Sequence, residues 1–148
     1  MISSSSHNGV AGSGKWGELA RAGFQPVPDA LLVKQRDLGL DATDMLVLLN
    51  LTSYWWFQNR PPFARSNVIA KRMGVSPRTV QRSLKKLVSK GLLRRDDFRL
   101  EDGTFVPALY LEGLTERLTA LARNDPALAS RMHGEATETS EQEDDIPF

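Results

Sequence analysis

Six side chains suited to base-pair edges and phosphates fall close together between Pro77 and Lys90: Arg78, Thr79, Gln81, Arg82, Lys85 and Lys86. Arginine pairs bidentately with guanine and glutamine with adenine, threonine can touch a thymine methyl, and lysine neutralises phosphate. Their spacing matters as much as their types. Val80, Leu84, Leu87 and Val88 recur at helical intervals and make one apolar face, which turns the six polar residues outward. Recognition helices place their N-terminal residues deepest in a groove, so Arg78, Thr79, Gln81 and Arg82 are expected near bases. Lys85, Lys86 and Lys90 are expected on phosphates, and Arg65 and Lys71 belong to the same DNA-binding set. Arg94, Arg95 and Arg99 would extend it along the backbone or into a minor groove.

The elements that must carry these residues can be read from local signals. Ser66 to Met73 reads as a short helix, Gly74 to Ser76 as a turn, and Pro77 to Lys90 as a longer helix stopped by Gly91. Ala70 is small where the two helices would cross, Gly74 permits the turn, and Val80 fills the space between them. Ser76 can cap the second helix, and Pro77 fits a first turn that needs no amide donor. Leu92 to Leu100 and Thr104 to Leu111 read as strands joined at Glu101-Asp102-Gly103, a hairpin that would be a wing. Upstream, Asp41 is a plausible N-cap for a helix from Ala42 to about Gln58, ended by Asn59 and Pro61-Pro62. It has little polar face, so it should be central or shared with a second subunit. Leu114, Leu118, Leu121 and Ala122 stripe a final helix to about Arg123, ended by Asn124-Asp125-Pro126. Together these predict a mostly α fold with a β-hairpin wing (α+β), a winged helix-turn-helix.

The segment from Val68 to Leu87 resembles the helix-turn-helix of bacterial winged-helix proteins, including replication initiators and regulators of plasmids, phages and integrative elements. Gly23-Phe-Gln-Pro-Val-Pro-Asp-Ala-Leu-Leu32 is similar to proteins of the same mobile-element type, so the likeness spans Trp16 to Arg123. It implies DNA binding but does not choose between transcription and replication, because the fold serves both.

Charge is segregated along the chain. Arg60 to Leu100 holds twelve lysines and arginines against Asp96 and Asp97, a net +10, whereas Gly134 to Phe148 carries −6 and no cation. With no cysteine there is no disulfide framework, thiolate nucleophile or cysteine-ligated metal. No stretch is long and apolar enough for a bilayer span, and the Ser- and Gly-rich start lacks the pattern of a secretory signal. A cytoplasmic protein without membrane contact is expected. The expected organisation is a disordered arm over 1–15, one winged helix-turn-helix domain over 16–125, and a disordered acidic tail over 126–148.

The tail ends Glu143-Asp144-Asp145-Ile146-Pro147-Phe148, which resembles the terminal peptide of bacterial single-stranded-DNA-binding proteins. That resemblance implies a tip, Asp144 to Phe148, that recruits replication or repair proteins, with Phe148 as an aromatic anchor and the aspartates adding attraction. The five strands of that family's oligonucleotide-binding barrel are missing from the largely helical pattern before it. A tail that aids solubility, or folds back onto the basic surface, competes with this reading.

Other chemistry finds little footing. Gly9 to Lys15 imitates most of a P-loop, but Trp16 breaks the match and no strand precedes it, which favours a linker. His7 and His133 both fall in the expected tails, so no catalytic dyad or helix-borne metal site is evident. Tyr54-Trp55-Trp56-Phe57, beside Arg60 and Arg65, could stack unpaired bases, but on so apolar a helix packing is the better reading. The reading that joins these signals is a non-enzymatic accessory protein of DNA replication or maintenance, with no cofactor or metal. Its rival is a transcription regulator bound as a dimer to a two-fold operator.

Overall fold

The computed structural model of the chain describes residues 14–57 and 59–134. A 3-10 turn, Gly17–Ala22, precedes α1 (Asp29–Val33), α2 (Ala42–Thr52), α3 (Ser66–Met73), α4 (Pro77–Ser89), β1 (Arg94–Arg99), β2 (Phe105–Tyr110), α5 (Glu112–Arg123) and α6 (Pro126–Met132). This is the mostly helical α+β winged fold that the sequence pattern predicts. Residues 1–13 of the arm expected over 1–15, and the tip Asp144–Phe148, lie outside the described residues.

The helix-turn-helix forms where its steric signals stand. Gly74, at φ +72°, ends α3 in the left-handed region that a β-carbon disfavours. Ser76 starts α4 by accepting a hydrogen bond from the Thr79 N–H, with Pro77 in the first turn. Ala70 and Val80 are buried together with Ile69, Leu84 and Leu87, so α3 and α4 share one core. Each fully buried leucine of this kind contributes roughly 2–3 kcal/mol of transfer free energy. α2 packs across both helices. Its Met45, Val47, Leu48 and Leu51 enter the same core, and its first turn is closed by a reciprocal capping box between Asp41 and Asp44.

The wing is an antiparallel pair in which Arg94 lies opposite Tyr110 and Arg99 opposite Phe105. An isolated bridge from Phe63 to Ala108 adds a short third edge, supported by the Leu109 N–H bond to the Pro62 carbonyl at 2.9 Å. Asp102 closes the hairpin turn, accepting from the Thr104 N–H at 2.9 Å and the Thr104 hydroxyl at 2.7 Å.

Three expectations are corrected. First, α2 stops at Thr52 rather than near Gln58, so Tyr54 to Phe57 are not helical. The Ser53 hydroxyl takes the Asn50 carbonyl at 2.6 Å and the Trp56 indole N–H takes the Ser53 carbonyl at 2.8 Å, so side chains replace the amides of a further turn. Second, Asn124-Asp125-Pro126 ends one helix and starts another. The Asp125 carboxylate accepts from the Ala127 and Leu128 N–H groups at 3.1 and 3.3 Å, Pro126 opens α6, and Leu128 is buried. The segment 126–132 is thus a helix packed on α5 rather than the start of a tail. Third, the domain expected over 16–125 does not begin to pack at Trp16. The 3-10 turn buries none of its residues; Gln25 then ties the chain to α2, donating to the Leu49 carbonyl at 3.0 Å and accepting from the Thr52 hydroxyl at 2.8 Å, and Val27, Ala30 and Leu31 pack on the core.

Among the described residues, no helix is long and apolar enough to cross a membrane, and no group of three His, Asp or Glu could hold a metal ion.

Candidate nucleic-acid interface

α4 presents Arg78, Gln81, Arg82 and Lys85 as exposed side chains on the face opposite Val80, Ser83, Leu84 and Leu87, which are buried. Among the described residues none of these three cations pairs with a carboxylate, and neither do Lys71, Lys90, Arg95 or Arg99, all exposed. Uncompensated guanidinium and ammonium groups on an exposed surface are free to exchange counterions for phosphates. Thr79 is half-buried, and its hydroxyl lies 3.1 Å from that of Ser76, so it serves the start of the helix as well.

Two lysine and arginine positions expected at phosphates are committed elsewhere. Lys86 reaches back to α2, with Nζ 2.8 Å from Asp44 and 3.2 Å from Asp41. Its ammonium pKa is raised, first by the hydrogen bond to Asp44 and then by that to Asp41, and the Asp41 pKa is lowered, first by the Asp44 N–H and then by Lys86. Asp44 is 1% exposed, so this lysine balances a buried carboxylate before it can serve DNA. On the wing, Arg94 stacks on the Tyr110 ring at 4.2 Å and pairs with Asp96 at 3.0 Å and Glu112 at 3.5 Å. Strand alternation puts Arg94 on the face opposite Arg95 and Arg99, so the three wing arginines do not share a surface.

Arg65 is likewise engaged, lying over the Tyr54 ring at 4.4 Å and the Phe63 ring at 5.9 Å. Arg72 also lies over the Tyr54 ring, at 5.0 Å, and Arg60 lies over Phe63 and Phe98 at 5.8 Å each. This arginine-aromatic cluster at the start of α3 is not apparent from periodicity, although the run of aromatics beside Arg60 and Arg65 is its one sequence signal. Packing accounts for only part of that run. Trp55 packs against the core and Tyr54 is half-buried, whereas Trp56 is 75% and Phe57 62% exposed.

A family model and one solved structure agree with this architecture. A family model described as the DnaD N-terminal domain matches residues 27–127, which includes α1 to α5 and the wing. The crystal structure of the N-terminal domain of DnaD protein from Geobacillus kaustophilus HTA426 is similar at 24% identity and a TM-score of 0.55, covering 84% of this chain and 98% of that one. A possible transcriptional regulator from Methanosarcina mazei Go1 aligns at 23% identity and TM-score 0.43, covering 72% of this chain and 82% of that one. The YusO protein from Bacillus subtilis aligns at 21% identity and TM-score 0.42, covering 74% of this chain and 72% of that one. A search of curated proteins finds no match. With the family pattern matched across the helix-turn-helix, the wing and the helices on either side, the chain belongs to the DnaD N-terminal domain family.

Proposed function

We propose that this protein is a non-enzymatic accessory factor of DNA replication or maintenance that engages duplex DNA through α4 and the Arg95/Arg99 face of the wing. The observation that carries the reading is the exposed, uncompensated row of Arg78, Gln81, Arg82 and Lys85 on the second helix of a helix-turn-helix. Membership in a family of DNA-replication proteins supports the process. Phosphate contacts from Lys71, Lys85, Lys90, Arg95 and Arg99 position the duplex in this reading, while Arg78, Gln81 and Arg82 face base edges.

Two finer features complete the proposal. The sequence Asp144-Asp145-Ile146-Pro147-Phe148 recruits replication or repair proteins by an aromatic anchor and acidic flank. The chain acts as a homodimer, which gives Leu46 on α2 and Leu32 and Val33 on α1, each at least half exposed, a surface to cover.

Anisotropy with labelled duplexes of several sequences at two salt concentrations tests the central claim. The expected result is sequence-tolerant binding that weakens steeply with salt, and an R78A/R82A pair that loses about ten-fold or more. Unchanged duplex affinity in that double variant would sink the recognition-helix assignment, and strong preference for one symmetric duplex would favour an operator-binding regulator. Deleting Ile146 to Phe148 is expected to abolish capture of replication proteins and leave duplex affinity intact.

A further inference from the structure

The pocket walled by the arginine-aromatic cluster has a composition that duplex recognition by α4 does not use. It encloses about 270 Å³ between Tyr54, Trp56, Phe57, Arg60, Pro61, Pro62, Phe63 and Arg65. Its walls hold aromatic rings and two guanidinium groups but no carboxylate. Trp56 and Phe57 stand on its rim with their rings largely in water, an unfavourable exposure for two adjacent large aromatics unless a ligand covers them. The Trp56 ring is held in place by its N–H bond to the Ser53 carbonyl at 2.8 Å.

The arginines are positioned by rings rather than by acids. Arg65 lies over Tyr54 and Phe63, and Arg60 over Phe63 and Phe98. Cation-π contact orients a guanidinium without neutralising it, so its N–H edges and its full charge remain for an anion. Among the described residues neither arginine pairs with a carboxylate, and Arg65 Nε is buried with no hydrogen-bond partner. A flat ring platform next to oriented, unpaired guanidiniums matches a ligand with a π face joined to a phosphate. The larger adjoining groove, about 1180 Å³, shares Trp56 and Phe57 but adds Glu112 and no cation, so attraction for phosphate is confined to the smaller pocket.

We infer that this pocket is a binding site for single-stranded nucleic acid, with an unpaired base stacked on Trp56 and Phe57 and its flanking phosphates held by Arg60 and Arg65. Single strands fit where duplex does not, because only an unstacked base offers its face. The site is separate from the outward face of α4, and it stands or falls without the duplex-binding assignment.

Anisotropy of the full chain with labelled oligothymidylate and with a duplex of unrelated sequence tests this. Trp56→Ala is expected to weaken oligothymidylate binding about ten-fold and leave duplex binding unchanged, while Arg82→Ala does the reverse. Trp56→Phe, which keeps a ring, should retain most single-strand affinity, and Arg60→Gln should lower both that affinity and its salt dependence. Oligothymidylate should quench a component of the tryptophan emission that is missing in Trp56→Ala. Thermal melts establish that each variant is folded, and if Trp56→Ala is not, the Trp56→Phe and Arg60→Gln arms decide. The proposal is overturned if a folded Trp56→Ala binds oligothymidylate as the unmodified chain does, as a protein-docking surface would predict. It is equally overturned if an abasic oligonucleotide binds as tightly as oligothymidylate, which would leave only backbone attraction.

Discussion

Ser83 on α4 donates a 2.7 Å hydrogen bond to Asp44 on α2, and both residues are buried, at 4% and 1% exposure. The second Asp44 oxygen receives Lys86 and the Asp41 N–H, so one carboxylate fastens the recognition helix to the start of the central helix. Removing it strands a buried hydroxyl and leaves a lysine without its strongest partner. Asp44→Ala is therefore expected to cost about 2–3 kcal/mol in urea unfolding, and Ser83→Ala about 1 kcal/mol. Equal and negligible losses in both would show that the carboxylate is not a fastening point.

The same contact separates two neighbouring lysines that composition treats alike. Lys85 is exposed and unpaired among the described residues, whereas Lys86 is held by Asp41 and Asp44. Lys85→Ala should lower the slope of log affinity for duplex against log salt by about one. Lys86→Ala should leave the slope unchanged and lower the melting temperature instead. Titrations at several salt concentrations check both, and equal slopes in the two variants would return Lys86 to the DNA surface.

Acid should weaken the fold through three aspartates. The carboxyl of Asp125 is held below its ordinary 3.8, first by the hydrogen bond from Lys34 and then by the Leu128 N–H. Asp41 is held low first by the Asp44 N–H, and Asp102 first by the Thr104 hydroxyl. A depressed carboxyl contributes stability that is present above its unfolded pKa and is lost as pH falls through the folded value, so the loss is expected below pH about 4. Lys34 and Lys86 are raised above their ordinary 10.5, Lys34 first by Asp125 and Lys86 first by Asp44. Their contribution is present below that value and is lost as pH rises through the higher folded one. Melting temperature should thus be level between the two limits and fall outside them. Asp125→Asn keeps an oxygen for the cap but loses the charge for Lys34, so it should flatten part of the acid arm. An acid arm untouched by Asp125→Asn would remove that pair from the account.

The helix-turn-helix was legible because its boundaries rest on backbone chemistry that single residues announce. Gly74 marks a left-handed turn, Ser76-Pro77 a helix start, and Gly91 a stop, so α3 falls on its expected limits and α4 within one residue of them. The end of α2 was not legible, since apolar residues continue through Phe57 while the hydroxyl of Ser53 and the indole of Trp56 take over the last carbonyls. Asn124-Asp125-Pro126 reads equally well as a stop or as a cap, and the burial of Leu128 and the 2.9 Å pair with Lys34 favour the second helix. At the interface, the outward face of α4 followed from period alone. The withdrawal of Lys86 did not, because its partner Asp41 is 45 residues away in the chain.

The close approach of α5 to the turn after α4 depends on a glycine that no periodic pattern singles out. Gly113 sits in the first turn of α5 so near the Gly91 carbonyl that a β-carbon would overlap both the oxygen and the carbon of that peptide, with the Leu92 carbonyl 3.4 Å away. The obstructing atoms are backbone, and Gly91 itself holds φ +78°, so the turn cannot yield as a flexible side chain would. Alanine ordinarily favours a helix over glycine by about 1 kcal/mol, so propensity alone predicts that Gly113→Ala stabilises. The overlap outweighs it, and a net loss of about 1–3 kcal/mol is expected as α5 is displaced from the start of the wing. Exposed Gly74→Ala is the control: its β-carbon would meet nothing within 4 Å, so its cost of about 1 kcal/mol comes only from the left-handed backbone. Urea unfolding of both variants checks the order, and a Gly113→Ala more stable than the unmodified chain would mean that α5 does not pack this closely.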